Sequence, residues 1–433
     1  MVNYLALILS FLSIFILIEL LLHFFLARLR ARFGNIIIAG KDNLPAIDKE
    51  GLAKFMKIGY DPELGWVRKP NTSKKEKSSL GASEYHINAL GSRTNPGHEK
   101  LPIIVDTFGD SYTFGRQIND NETWQYFLAK SLKCNVTNFG VGNYGLDQAY
   151  LRFKREMPRL NGSIVIIGIV PETIRRNLSV WKHYFEFGNT FGFKPRFVMA
   201  DGNLQLIPNC ISSEQEFFRI KEHLSEIRKN DYFYKNKFRK YIFTFPYTFS
   251  LLRNFRLKMP LLFYYGGAYI LETLKINWKK SRASLTVKSK VAFDLKDKIS
   301  YYQKKELLEL TLKILEVFAQ DVRSKKMVPV FVILPEYDDL EYIRKTGDVF
   351  YDSLLKPASG LMDVLDLGKE LLKIDKLEGI FSNKDYGGHY NSKGNEIVGE
   401  AIYRYLVQRR ILNNKNYRKK HLCATSIDEE VFS

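Results

Sequence analysis

The sequence predicts an α/β protein: a parallel sheet with helices on both faces, one N-terminal membrane helix and a basic helical insertion. Three observations predict this. Short apolar runs of buried-strand type recur from Leu101 onward, with helical patterns between them. Tyr4–Ala27 is apolar enough to span a bilayer. The net charge of +19 is concentrated in one stretch, where Arg219 to Lys290 holds 17 Lys+Arg against 4 Asp+Glu.

Taken in order, Leu5 to Ile18 is almost wholly apolar, and Glu19 and His23 interrupt the continuation to Ala27. No basic residue precedes the run and no small-x-small cleavage site follows it, so a membrane anchor over residues 1–34 is expected rather than a signal peptide. Arg28, Arg30 and Arg32 follow the helix. The charge rule therefore favours a single-pass protein whose bulk lies on the cytoplasmic face. Residues 35–100 read as a lead-in of short strands and loops. It carries Leu64-Gly65-Trp66, a Lys/Ser-rich loop at Thr72–Ser83, and Asn88-Ala89-Leu90-Gly91-Ser92-Arg93.

The main domain is expected over residues 101–409, with a basic-to-acidic tail at 410–433. Strands are expected at Ile103–Phe108, Val136–Phe139, Ile164–Ile169, Val328–Leu334 and Met362–Leu365. Helices are expected at Glu122–Leu132, Leu146–Met157, Lys304–Val322 and from Ile397 to the end of the domain. Strands alternating with helices imply a parallel sheet covered on both faces. The rhythm breaks over about 185–300. A hairpin signal, Asp201-Gly202, sits there between alternating residues, followed by a basic stretch with 14 Phe or Tyr between Tyr232 and Tyr269. That stretch is read as a helical subdomain covering the sheet or as a surface for anionic lipid; the membrane helix favours lipid over nucleic acid, and no nucleic-acid partner is expected.

With 45% hydrophobic and 26% charged residues the chain is neither disordered nor a disulfide scaffold. Its three cysteines, Cys134, Cys210 and Cys423, have no metal-ligand spacing. No metal and no organic cofactor are expected.

The strongest chemical signal is Phe108-Gly109-Asp110-Ser111-Tyr112-Thr113-Phe114-Gly115, directly after the first strand. A serine at the carboxyl end of a parallel strand projects into the crevice where such sheets bind ligands. Its own N–H, at a helix start, can hold an oxyanion. A serine nucleophile needs a base. Of seven histidines, His389 stands in a polar loop before the last helix, four residues after Asp385; the others lie in the membrane segment, the tail, the lead-in or the insertion.

Three blocks in order, Gly109-Asp110-Ser111, Asn138-Phe139-Gly140-Val141-Gly142-Asn143 and the His389 loop, make the chain resemble the SGNH (GDSL-type) hydrolase superfamily, and the lead-in, with Leu64-Gly65-Trp66 and Asn88 to Arg93, resembles that of its membrane-anchored bacterial members. The resemblance implies a three-layer, flavodoxin-like sheet. It implies Ser111 as nucleophile, His389 as base and Asp385 as the orienting carboxylate. The oxyanion donors would come from Ser111 N–H and from Gly142 or Asn143, the latter standing where the family has glycine. The third block, Gly168–Thr173, offers only Thr173 where the family has an asparagine. The implied activity is cleavage of O-acyl esters, O-acetyl among them, on a small molecule, carbohydrate or lipid. O-acyl transfer to a carbohydrate is the close alternative, and a catalytically impaired binding protein on the same fold is the rival from another class.

Overall fold

The computed structural model describes residues 2–33, 42, 44–274, 294–383 and 388–413. The chain divides into two compact units. One comprises Met1–Leu52, Ser179–Phe193 and Ser213–Lys290, the other Ala53–Leu178, Lys194–Ser212 and Val291–Ser433.

The second unit holds a five-stranded parallel sheet: β1 (Ile103–Gly109), β2 (Asn135–Asn138), β3 (Ile164–Ile169), β4 (Val328–Ile333) and β5 (Asp363–Asp366). The order is β2-β1-β3-β4-β5. Register decides which residues share a face. Val105 and Ile164 pair, as do Ile166 and Val330, and this face packs on the helices Trp124–Leu132 and Ser392–Gln408 through Leu128, Leu132, Val398 and Ile402. The opposite face carries Phe108 and Ile167. Phe108 stacks on Phe139 and meets Phe153, which in turn meets Phe318 on the helix Lys305–Ser324. Strands buried on both faces need near-continuous apolar runs, and that is why they were visible as such. The strand order reverses between β1 and β3, and the crevice at such a switch point is where doubly wound sheets bind ligands.

The lead-in is more regular than its composition suggests. Lys49–Ile58 is a helix. Thr72–Ser78, within the stretch expected to be a loop, pairs antiparallel with Gly81–Ile87 as a hairpin. The correction has a local cause. Lys74, Lys75 and Lys77 look solvated, but Glu76 between them points inward, 7% exposed, and pairs with Arg116. The hairpin expected around Asp201-Gly202 is present as Arg196–Ala200 with Asn203–Ile207.

The first unit contains the N-terminal helix Val2–Phe33, of which Tyr4–Phe33 is long and apolar enough to cross a membrane. Tyr4, Leu7, Phe11, Ile14 and Leu21 are exposed, whereas Leu26 and Leu29 are buried against Phe243 and Tyr265. Glu19 is 5% exposed. Its carboxylate accepts the Thr248 N–H at 2.7 Å, the Tyr247 N–H and the Thr248 hydroxyl, capping the helix Tyr247–Arg253. The aromatics of the basic stretch divide into two sets. Phe233, Phe238, Tyr241 and Phe243 are buried within the unit, while Phe245, Phe249, Phe255 and Phe263 are exposed. The basic residues from Lys275 to Lys290 lie outside the described residues, as does the tail from Asn414 on.

Candidate active site

Ser111 opens the short helix Ser111–Phe114, immediately beyond β1 and Asp110. Asp110 is the N-cap: its carboxylate accepts the Tyr112 and Val170 N–H groups, each at 2.9 Å, and the Thr173 hydroxyl at 3.3 Å. Its position therefore ties the Ser111 turn to the end of β3. Thr173 is fully buried, and its hydroxyl is engaged by Asp110. Gly109 has no room for a side chain. A Cβ there would run into the Gly168 carbonyl and lie 2.8 Å from Thr113 Cβ. Ser111 is 5% exposed, and its Oγ makes no hydrogen bond among the described residues.

The second block is fastened to this turn. Val141 N–H donates to Gly109 O at 3.0 Å, and Gly140 lies so near the helix that a Cβ would fall 2.8 Å from Thr113 C. Gly142 follows, partly exposed; Asn143 is exposed with φ +66°, in the left-handed region that asparagine tolerates better than most residues. The N–H groups of Ser111 and Gly142 donate to nothing among the described residues.

The lead-in motifs support these two blocks. Trp66 Nε1 donates to Gly142 O at 3.0 Å, Tyr144 Oη donates to Trp66 O at 2.6 Å, and Gln148 donates to Leu64 O at 2.7 Å. Arg93 is 1% exposed and fully engaged. Its Nε meets Asp120 at 2.7 Å, and its remaining nitrogens donate to the carbonyls of Phe114, Gly115 and Ile118. It thereby fixes the loop that presents Arg116 and Gln117.

His389 arrives from the loop before the last helix. Its ring lies 4.8 Å from that of Tyr112, the residue after Ser111, and Tyr112 Oη donates to Gly388 O at 3.0 Å. His389 Nδ1 faces Gln117 Oε1 at 3.3 Å, and the same oxygen accepts from Ser382 Oγ at 2.6 Å. Ser382 Oγ in turn accepts the His389 N–H at 3.1 Å. With the amide oxygen held by the Ser382 hydroxyl, Nδ1 carries the proton and Nε2 is left as the basic atom. Burial holds the imidazole pKa down to about 3, helped by the charge of Arg116, while Glu336 and Glu76 oppose the shift. A neutral amide as ring partner does nothing to offset that desolvation.

Ser111 and Gly142 thus lie on segments fastened together beyond β1, Asn143 follows Gly142, and the His389 loop packs on Tyr112, the residue after Ser111. Asp385 lies outside the described residues. Gln117 and Ser382 went unseen in the sequence: Gln117 is 272 residues from His389, and Ser382, seven residues before it, reads as an ordinary loop serine. Beside them a groove of about 310 Å³ is lined by Leu80, Gln117, Asn119, Asn391 and Lys393.

No family model and no curated protein matches the chain. Among solved structures it is similar to a putative lipolytic protein of the G-D-S-L family from Desulfitobacterium hafniense (15% identity, TM-score 0.33, 70% of this chain and 98% of that one). It is also similar to a lipase/acylhydrolase from Enterococcus faecalis (11%, 0.33, 71% and 97%). A third is the esterase EstA from a Pseudoalteromonas species (10%, 0.33, 72% and 99%). In its five-stranded parallel sheet, in the Gly-Asp-Ser turn after β1 and in the histidine before the last helix, the chain resembles the SGNH (GDSL-type) hydrolases.

Proposed function

We propose that this protein is a membrane-anchored serine esterase that cleaves O-acyl esters through an acyl-enzyme on Ser111. The observation that carries the reading is the packing of the His389 loop onto Tyr112, beside a serine at the β1/β3 switch point whose own N–H has no acceptor among the described residues. His389 Nε2 takes the Ser111 proton as Oγ attacks the ester carbonyl; a C–O bond to Ser111 forms and a tetrahedral oxyanion develops. The Ser111 and Gly142 N–H groups hold that charge. His389 then returns the proton to the leaving alcohol. Water, deprotonated by the same nitrogen, releases the acid in the second half-reaction. Gln117 and Ser382 keep Nε2 facing the reaction, and Asp385 is the further carboxylate proposed for that loop. Thr173, engaged by Asp110, acts in this reading by steadying the turn.

A fluorophosphonate probe tests the assignment. Labelling of wild type that is lost in Ser111→Ala supports it. A folded wild type that is not labelled, while a known serine esterase in the same tube is, sinks it.

The anchor is the helix Tyr4–Phe33, whose exposed apolar side chains suit hydrocarbon. Phe245, Phe249 and Leu252, exposed on the segment that Glu19 caps, extend that apolar surface. A chain lacking residues 1–33 should still sediment with anionic vesicles and release with salt; equal partition onto neutral and anionic vesicles argues against the basic segment as a lipid contact.

A further inference from the structure

We propose that Arg68 and Arg116 form a subsite for an anionic group on the substrate, a carboxylate or phosphate held beside the Gly142 turn. Its use rests on the esterase reading; its existence rests on geometry.

Arg93 and Arg68 make the case by contrast. Both guanidinium groups lie near the same pair of rings, Tyr85 and Phe114, which meet edge-on at 4.8 Å. Arg93 lies 5.6 and 4.9 Å from the two centroids, Arg68 5.3 and 5.0 Å. Arg93 is buried and has an acceptor for each of its nitrogens, as a structural arginine should. Arg68 is partly exposed and has no acceptor among the described residues, although its Nε is buried. The two Nη groups of Arg68 are not buried, and they are the donors that a ligand oxyanion can engage.

The place it faces is defined by the turn beside the nucleophile. A Cβ on Gly142 would lie 3.7 Å from Arg68 Nη2 and 3.6 Å from Arg116 Cδ. Arg116 is paired with Glu76 at 3.2 Å. Burial, and after it the field of Arg68 and Arg116, push the Lys74 amine below the ordinary lysine range, while Glu76 opposes the shift. Three cations therefore share one carboxylate. A planar guanidinium fork held against aromatic rings is preorganised for carboxylate or phosphate. An anion bound there also relieves the field that Arg116 exerts on His389, making the base stronger when the charged substrate is in place.

The chemistry fits an acidic sugar or a phosphate headgroup, and two substrate pairs distinguish them. The first is an O-acetyl glucuronide against the O-acetyl glucoside, the second a monoacylglycerol phosphate against the monoacylglycerol. The readout is the charged-to-neutral ratio of kcat/KM within each pair. Wild type should prefer the charged member about tenfold or more in one pair, which identifies the source. Arg68→Met, which keeps the stem between the rings, should collapse that ratio toward one, and Arg68→Lys should restore part of it. A wild-type ratio near one in both pairs overturns the subsite. So does an equal loss on both members in a folded Arg68→Met protein, since a structural or oxyanion role would act on neutral esters alike. If wild type hydrolyses none of the four, the esterase reading fails, and the subsite is then decided by titration calorimetry with inorganic phosphate. Binding that Arg68→Met abolishes supports it; equal or absent binding overturns it.

Discussion

Replacing Gln117 by glutamate changes one atom type at the only hydrogen-bond partner of the His389 ring that the described residues supply, and the effect can be worked out beforehand. In wild type the imidazole is buried, faces a neutral amide and has a pKa near 3. The acid limb of kcat/KM should therefore lie well below the usual histidine range, with a plateau reaching into mildly acidic pH. A carboxylate placed 3.3 Å from Nδ1 attracts the imidazolium by about 5 kcal/mol at an effective dielectric of about 20. Neighbouring opposite charges in proteins move a pKa by about 1–3 units. The sign is upward, because the carboxylate stabilises the protonated ring. The variant's acid limb should thus appear about 1–3 units higher than that of wild type, at about pH 4–6. Activity near pH 7 should hold or rise, since the imidazolium of the transition state is better supported. The assay is kcat/KM on a nitrophenyl ester from pH 3 to 8, with near-UV circular dichroism to confirm folding at each pH. A folded variant whose acid limb coincides with that of wild type would refute both Gln117 as ring partner and His389 as base.

Further outcomes follow from the same geometry. Ser111→Ala should abolish esterase activity with little change in stability, checked by rate and by urea midpoint, because the hydroxyl removed makes no hydrogen bond among the described residues. His389→Ala should lower kcat/KM far more than Asp385→Ala, since Gln117 and Ser382 already hold the ring; the reverse order would overturn both roles. Gly140→Ala should cost about 1–3 kcal/mol and most of the activity, because the new Cβ meets backbone of Thr113 and Phe114, which cannot rotate aside. Glu19→Leu should remove the cap on Tyr247–Arg253, at about 1 kcal/mol, and speed proteolysis between Phe245 and Arg256 in vesicles. Unchanged cleavage would show that the carboxylate does not hold that helix.

The sheet was legible because its central strands β1, β3 and β4 are buried on both faces, and burial on both faces leaves an apolar run that survives in one dimension. Ser111 and His389 can be singled out as candidates because each carries its signal in its own turn or loop. The groups that set the properties of His389 cannot be. Gln117 looks like any polar loop residue, and its meaning depends on Ser382, 265 residues on. Thr72–Ser78 was hidden for a related reason. Its inward-facing Glu76 is neutralised by Arg116, 40 residues away, so a charge that reads locally as solvated is in fact part of the packing. Arg68 and Arg93 differ in the same way. Both are single arginines in a lead-in sequence, and only their surroundings separate the one that is satisfied from the one that is not.

The contact between Glu19 and Thr248 spans 229 residues of chain. At about 5–20 residues per second of synthesis, the carboxylate is made on the order of 10–50 s before the amides that will receive it. In the anchored reading proposed above, the helix therefore meets the bilayer as an incomplete object, with an acidic group halfway along it and nothing to bond. Burying that group as an anion in hydrocarbon is costly. The young chain must keep it protonated, or hold the helix shallow with Glu19 at the headgroups. Final depth is then set late, when Tyr247 and Thr248 arrive and accept the carboxylate as their cap. Insertion of this helix and closure of the unit around it become one event, timed by the ribosome's progress through the second half of the chain.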